Sequence, residues 1–400
     1  MAVMTISTVM YKCLGIGNTE LAFYTAWLYL PWVIKPFWSP FVDILRSKRW
    51  WVLCMQWIIA VAMASVAFVL PASGYFQASL FVFWLMAFAS ATHDIAADGF
   101  YMLALTEHSQ SLFVGIRSLF YRASMIVGQG VLVVVAASIS NAQSDPKAGW
   151  VFVFAILSAF FFLVAIYHSF VLPHPAQDAM RSPRSTKEVL SEFIATFVDF
   201  FRKPHIVAAL LFMLLYRLPE AQLVKMITPF MLDPVASGGL GLNADQVGWV
   251  YGTIGVFGLM LGGIVGGIVA SRNGLRYWLH PMAWSMSLTC LTFVYLAYVQ
   301  PSDILQIYVC VFIEQLGYGF GFTAYMLYLI YFSIGRFKTA HYSICTGFMA
   351  LGMMLPGMAA GWIADTFSYR SFFVWTMICC FATIVVCYLI KVDKNFGKKQ

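Results

Sequence analysis

Apolar residues in this chain fall in continuous runs rather than in the alternating or one-faced patterns of soluble elements. The runs lie near 19–40, 50–71, 76–105, 112–140, 149–172, 206–231, 244–270, 277–299, 304–333, 340–364 and 369–390. A bilayer core about 30 Å thick is crossed by about 20 residues of helix, so these runs predict eleven membrane-spanning helices. Residues 1–12 form a further apolar stretch, too short to span. It has neither the charged flank nor the cleavage site of a signal peptide and reads as half of a truncated first helix. A membrane β-barrel is excluded, because its strands alternate inward and outward positions. The expected fold class is an all-α polytopic membrane protein.

Polar punctuation divides these helices. Six apolar segments, counting the stub, precede 173–205 and six follow it. That segment contains Pro173, Pro175, Pro183 and Pro204, with an amphipathic run from Thr186 to Phe201, the signature of a linker carrying an interfacial helix. The expected organisation is an N-terminal six-helix bundle over 1–172, a cytoplasmic linker over 173–205 and a C-terminal six-helix bundle over 206–400.

Composition narrows the class. Of the 400 residues, 61% are hydrophobic and 10% charged, against about 45–50% and 25% in soluble domains. Too few charges remain to solvate several soluble domains, and the formal charge of +7 is scattered over loops. A nucleic-acid partner is therefore not expected. The eight cysteines form no CxxC pair and no His/Cys spacing suited to zinc; they read as small buried hydrophobes, and no metal or cofactor is expected. Loop charges set the orientation. With both termini inside, the inner loops and tail hold Arg46, Lys48, Arg49, Arg181, Arg184, Lys187, Arg202, Lys203, Arg272, Arg276, Arg336, Lys338, Lys391, Lys394, Lys398 and Lys399. The outer loops hold Lys12, Lys147 and Arg370. The excess follows the positive-inside rule and places both termini in the cytoplasm.

Ionisable residues inside spans are expensive and mark functional sites. They are Lys35, His93, Asp94, Asp98, Arg117, Arg122, Arg217, Glu220, Lys225 and Glu314. At about 1.5 Å of rise per residue, Lys35, Asp98 and Arg117 form a layer near the inner boundary. Asp94 and Arg122 form a second layer near the midplane, where they are expected to face each other. Asp94 and Asp98 share a helix face at i, i+4, and Arg217 and Glu220 share one at i, i+3. Pro219 and Pro229 interrupt the seventh span, and broken helices at membrane depth point to binding sites. Glu314 lies beside Gln315 in a stretch with Gly317, Gly319 and Gly321. Structural ion pairing is the alternative reading for each of these charges, most of all for those near the inner surface. Trp27, Tyr29, Trp32 and Trp38 offer faces on which a sugar ring stacks. An intramembrane enzyme is disfavoured: no His-Glu-x-x-His or Gly-x-Ser-x-Gly occurs. A channel is disfavoured because acidic and basic residues alternate instead of forming a ring of one sign.

Ser39-Pro-Phe-Val-Asp43, followed by Arg46, Lys48 and Arg49, and Gly266-Gly-Ile-Val-Ala270, followed by Arg272, Gly274 and Arg276, stand at corresponding places in the two halves. They resemble the Gly-x-x-x-Asp-Arg-x-Gly-Arg-Arg loop of the major facilitator superfamily, with Ser39 and Ala270 as departures. Within that superfamily the chain resembles the muropeptide permeases. The resemblance rests on Lys35-Pro-Phe-Trp38-Ser39-Pro40 with Asp43, on His93-Asp94-Ile-Ala-Ala-Asp98, on Tyr121-Arg122, on Leu215-Tyr216-Arg217-Leu218-Pro219-Glu220, on Phe312-Ile-Glu314, and on Pro356-Gly357 with Gly361-Trp362. It implies proton-coupled import of peptidoglycan turnover fragments, the anhydromuropeptides, by a monomeric transporter of the inner membrane. The alternative is a symporter for another sugar or glycan fragment. It implies substrate contacts at Arg122, Tyr121, Arg217, Lys35, Trp27 and Tyr29. Proton coupling would fall to Asp94, Asp98, Glu220 and Glu314, and an inner gating loop would use Asp43, Arg46, Arg49 and Arg272. Bidentate arginines suit ligand carboxylates.

Overall fold

The structure is a computed structural model that describes residues 2–104, 120, 123–174, 178, 186–335, 338–394 and 396. Among them there is no strand. The short apolar start is α1 (Ala2–Cys13), and the first full run is α2 (Asn18–Trp27) with α3 (Leu30–Leu45), interrupted at Leu28–Tyr29. α4 (Lys48–Val69) and α5 (Tyr75–Ala104) follow. A π turn (Val127–Val131) leads into α6 (Leu132–Gln143), and α7 (Ala148–Val171) closes this part of the chain. The amphipathic run is α8 (Thr186–Phe201). Then come α9 (Ile206–Leu215) and α10 (Leu218–Leu232). A short α11 (Ala244–Val247) passes through a π segment (Gly248–Gly255) into α12 (Val256–Asn273). α13 (Leu275–Thr289), α14 (Leu291–Val299), α15 (Ile304–Ser333) and α16 (Lys338–Leu389) complete the order. α16 is two helices joined at Ser368, whose φ of 74° and ψ of 160° break the helical path.

Helices begin where the apolar runs meet capping residues. The Ser47 hydroxyl accepts from Trp50 N at 3.2 Å at the start of α4, and the Asp303 carboxylate accepts from Leu305 N at 2.9 Å at the start of α15. Each cap satisfies a backbone donor that has no partner within its own helix. Eight of the described helical segments are long and apolar enough to cross a membrane. Their outward residues are apolar as well: Phe68 is 86% exposed and Phe170 84%. Those side chains have water-averse surroundings only if lipid covers them.

The described chain forms two compact units, one of residues 1–29, 124–134 and 200–400, the other of residues 30–123 and 135–199. In the first unit the core gathers Phe230 of α10, Phe293 of α14, and Tyr369, Phe372 and Phe373 of α16, with Phe230 and Phe373 ring centroids 4.8 Å apart. Lipid offers no hydrophobic drive for helix pairing, so close backbone approach takes its place. Gly262 lies against the Leu316 carbonyl and Gly319 against that of Leu259, so that α12 and α15 touch through their backbones, whereas Gly267 faces open space. The two π segments also meet: Gly130 packs on Gly252 and Thr253, and Gly248 on the Gly130 carbonyl and Val134. In the second unit α4 packs on α5 and α7. Ser158 donates to Ala60 O at 2.8 Å, and Gln56 lies within hydrogen-bond reach of both His93 and His168.

Candidate functional site

The seventh expected span is broken where its charges are. Pro219 follows Leu218 at the start of α10 and has no N–H to return to Leu215, so the ladder fails there. Arg217 takes φ −102° and ψ 17° between α9 and α10, and the first α10 bonds restart with Ala221 N donating to Arg217 O at 2.8 Å. The break turns Arg217 back over its own helix. Its Nε donates to Glu220 Oε2 at 3.1 Å, and Nη2 lies 2.9 Å from the same oxygen. Nη2 also donates to Tyr318 Oη at 2.7 Å.

α15 supplies the walls. The Arg217 guanidinium lies 4.8 Å from the Phe322 ring centroid, 5.7 Å from that of Tyr318 and 5.9 Å from that of Tyr325. This aromatic cage stacks on the planar cation. Two tyrosines pin it across the helices: Tyr325 Oη donates to Met213 O at 2.7 Å, and Tyr216 Oη donates to Gly321 O at 2.9 Å. Further along α15, Glu314 is 2% exposed. Its Oε2 accepts from the Gln315 side-chain amide at 2.8 Å, and no cation of the described residues lies within 4 Å of it. On α10, two turns from Arg217, Lys225 Nζ donates to Thr25 Oγ1 of α2 at 3.0 Å and lies 5.2 Å from the Tyr29 ring centroid. Gln222 between them accepts from Trp375 Nε1 at 2.8 Å. The first unit thus assembles an ion pair under aromatic rings, a carboxylate held by a neutral amide and a separate ammonium. That set can hydrogen-bond a polar ligand, stack its rings and hold or release a proton.

The other sequence-derived candidates distribute as follows. Tyr29 stands against Lys225, whereas Trp27 is half-buried and meets Phe23 edge-on at 6.4 Å. In the second unit Lys35 Nζ reaches Asp94 Oδ2 at 2.6 Å. That joins a residue of the expected inner layer to one of the midplane layer, because a lysine stem bridges the roughly 5.4 Å of a helical turn. Asp98 is half-buried one turn from Asp94. Arg49 donates to the carbonyls of Ser169 (2.6 Å) and Leu172 (3.2 Å) at the end of α7, while Asp178 accepts from the backbone N–H groups of Lys48 and Arg49. Arg46 stacks over Trp50 at 5.8 Å, and Arg272 is exposed at the end of α12. Tyr121, Arg122, Arg117 and the side chain of Asp43 lie outside the described residues, as does the expected Asp94–Arg122 pair.

Sequence reasoning missed Tyr318 and Thr25 as polar partners, and one whole cluster. Lys12 Nζ lies 2.6 Å from Asp233 Oδ1 and 2.6 Å from Asn18 Oδ1. The Asn18 amide donates to Asp365 and Tyr369, Thr19 donates to Asp365 through its backbone N and its hydroxyl, and Tyr369 Oη donates to Asp233. The residues are common loop types far apart in the chain, so no local spacing marks them. No group of three His, Cys, Asp or Glu suited to a metal occurs among the described residues.

Residues 1–329 match the profile of the Major Facilitator Superfamily. The chain is 25% identical over 362 residues to the anhydromuropeptide permease of Escherichia coli (strain K12), covering 86% of this chain and 67% of that one. It is 24% identical over 381 residues to the putative transporter AmpG 4 of Rickettsia conorii, covering 92% and 87%. Among solved structures, a D-xylose-proton symporter superposes with a TM-score of 0.72 at 12% identity, covering 99% of this chain and 94% of that one. The nucleoside transporter NupG superposes with a TM-score of 0.69 at 15% identity, covering 97% and 95%.

Proposed function

This chain belongs to the Major Facilitator Superfamily, and on that premise we propose that it imports anhydromuropeptides, the sugar-peptide fragments of peptidoglycan turnover, together with protons. The fold is that of a multi-pass membrane transporter of small molecules. This reading is supported by the anhydromuropeptide permease of Escherichia coli and the putative AmpG transporter of Rickettsia conorii among the relatives and by the residues at the broken seventh span. The observation that carries it is the caged Arg217–Glu220 pair lying on one helix break, with Glu314 buried on the same wall-forming helix.

In this reading the Tyr318, Phe322 and Tyr325 rings offer faces to the sugars, and the Arg217–Glu220 pair offers a fixed donor and acceptor to hydroxyl and amide groups. Glu314 carries the proton. An ionised carboxylate held by a single neutral amide costs several kcal/mol inside a protein, and a proton removes that cost. Cycling between the two forms couples the gradient to the ligand. The proposal extends to an inner-membrane location with both termini cytoplasmic, a monomer, and a division into six-helix halves at the 173–205 linker. Purified protein in proteoliposomes tests it. Labelled N-acetylglucosaminyl-anhydromuramyl tripeptide should accumulate when an inward proton gradient is imposed and should not when the gradient is collapsed. Uptake of simple disaccharides in its place would move the reading to another sugar symporter, and gradient-insensitive uptake would remove proton coupling.

A further inference from the structure

Lys225 has no role in the reading above, yet it is the more exceptional cation of the site. It lies in the middle of α10 and is 5% exposed. An ammonium has three N–H donors. One of them meets Thr25 Oγ1 at 3.0 Å, and one side of the head lies against the Tyr29 ring. The Thr25 hydroxyl spends its own proton on Leu21 O at 2.6 Å, so it faces Lys225 as an acceptor and nothing more. Among the described residues no carboxylate lies within 4 Å of Lys225. Its stem is accommodated by a glycine: the Lys225 Cγ and Cε pack 3.4 and 3.5 Å from where a Cβ at Gly357 would stand.

Arg217 presents the opposite case. Its guanidinium is already paired with Glu220, hydrogen-bonded to Tyr318 and faced by three rings. A ligand carboxylate arriving there would compete with Glu220 and leave one of two anions unpaired in a buried site. At Lys225 it would meet a cation that has donors to spare. Burying an unpaired charge is far more expensive than burying a paired one, so a carboxylate that completes Lys225 is bound with the relief of that expense added to the hydrogen bond itself.

We infer that Lys225, with Thr25 and Tyr29, is the carboxylate-recognition subsite of this transporter, and that its ligand is an organic anion whose carboxylate replaces the missing counter-charge on α10. Arg217, with Glu220, then serves the neutral hydroxyl and amide groups of the ligand and holds the aromatic cage, and the carboxylate goes to Lys225. This inference rests on the transport reading but not on the muropeptide as ligand.

The test compares ligands differing only in charge. The anhydromuramyl tripeptide and its fully amidated form are titrated against the protein in nanodiscs, alongside glucuronate and its amide. The parent should bind an acid form at least roughly tenfold more tightly than its amide. Lys225→Met and Lys225→Gln should abolish that preference, and Lys225→Arg should keep it. Retention of the preference in either neutral variant overturns the proposal, as does a parent that binds acid and amide alike. If the parent selects glucuronate over its amide through Lys225 but binds neither tripeptide, the subsite stands and the muropeptide reading fails. A measurement on the parent needs no variant to fold: the acid should protect Lys225 from a small amine-directed reagent, read by mass spectrometry, while the amide should not. Equal protection by the two overturns the proposal.

Discussion

Arg217 and Glu220 are buried together, and each is the other's principal counter-charge. Removing one leaves the other as an isolated ion, which costs about 3–5 kcal/mol, whereas replacing both with apolar residues of similar size is often close to neutral. Arg217→Leu and Glu220→Leu should therefore each lower thermal stability more than the double exchange does, a non-additivity that a double-mutant cycle in detergent measures directly. Equal or additive losses would show that the pair is not a unit. Glu314 behaves differently because its contact is an amide. Glu314→Gln keeps the size and the hydrogen-bonding reach but cannot release a proton. It should bind ligand as the parent does and fail to concentrate it under a proton gradient, with exchange of pre-loaded ligand unaffected. Accumulation equal to that of the parent would move the proton site to Asp94. The two residues also differ in how legible they were. The i, i+3 spacing announces the Arg217–Glu220 pair, although the structure sets Arg217 just before α10 instead of inside it. Lys35–Asp94 and Lys225–Thr25 are 59 and 200 residues apart, and no periodicity encodes a contact made by tertiary packing.

At the scale of elements, hydropathy located the spans closely: α4 at Lys48–Val69 against an expected 50–71, and α7 at Ala148–Val171 against 149–172. It did so because transfer into lipid is governed by composition over a window of about 20 residues. It was blind to the break at Leu28–Tyr29 and to the π segments, which change backbone path without changing average hydropathy, whereas the gap between the expected spans 340–364 and 369–390 coincides with the break at Ser368. Glycines of the α12–α15 seam show where local chemistry adds information. Gly262 sits against the Leu316 carbonyl, while Gly267 meets nothing within 4 Å. Gly262→Ala should separate the two helices and cost about 1–3 kcal/mol. Gly267→Ala should be neutral or stabilising by up to about 1 kcal/mol, since alanine is the better helix former. Thermal unfolding of the two variants in the same detergent decides the matter. A Gly262→Ala protein as stable as the parent would contradict the backbone contact.

Across the whole molecule, the cluster of Lys12, Asn18, Thr19, Asp233, Asp365 and Tyr369 ties the beginning of the chain to the end of α10 and to α16, more than 200 residues away. Asp365 accepts three of those bonds. Asp365→Ala should speed amide hydrogen exchange over 17–22 and leave 206–215 as in the parent, and unchanged exchange at 17–22 would show that the cluster does not hold the chain's beginning in place. The π segments have a consequence of another kind, for which lengths of this chain can change. A π turn closes i→i+5 instead of i→i+4, so it absorbs one residue beyond what the regular helix needs. Losing one residue within Gly248–Gly255 can be taken up by reverting to α-helical turns, leaving Gly258, Gly262 and Gly266 aimed at α15. Losing one residue from regular helix just after it, at Val256 or Phe257, has no such slack and rotates all three glycines by about 100°. Length variation in relatives of this chain should accordingly collect inside the π segments and avoid the helices beside them, so that these turns act as the places where a tightly packed membrane protein can gain or lose a residue and keep its fold.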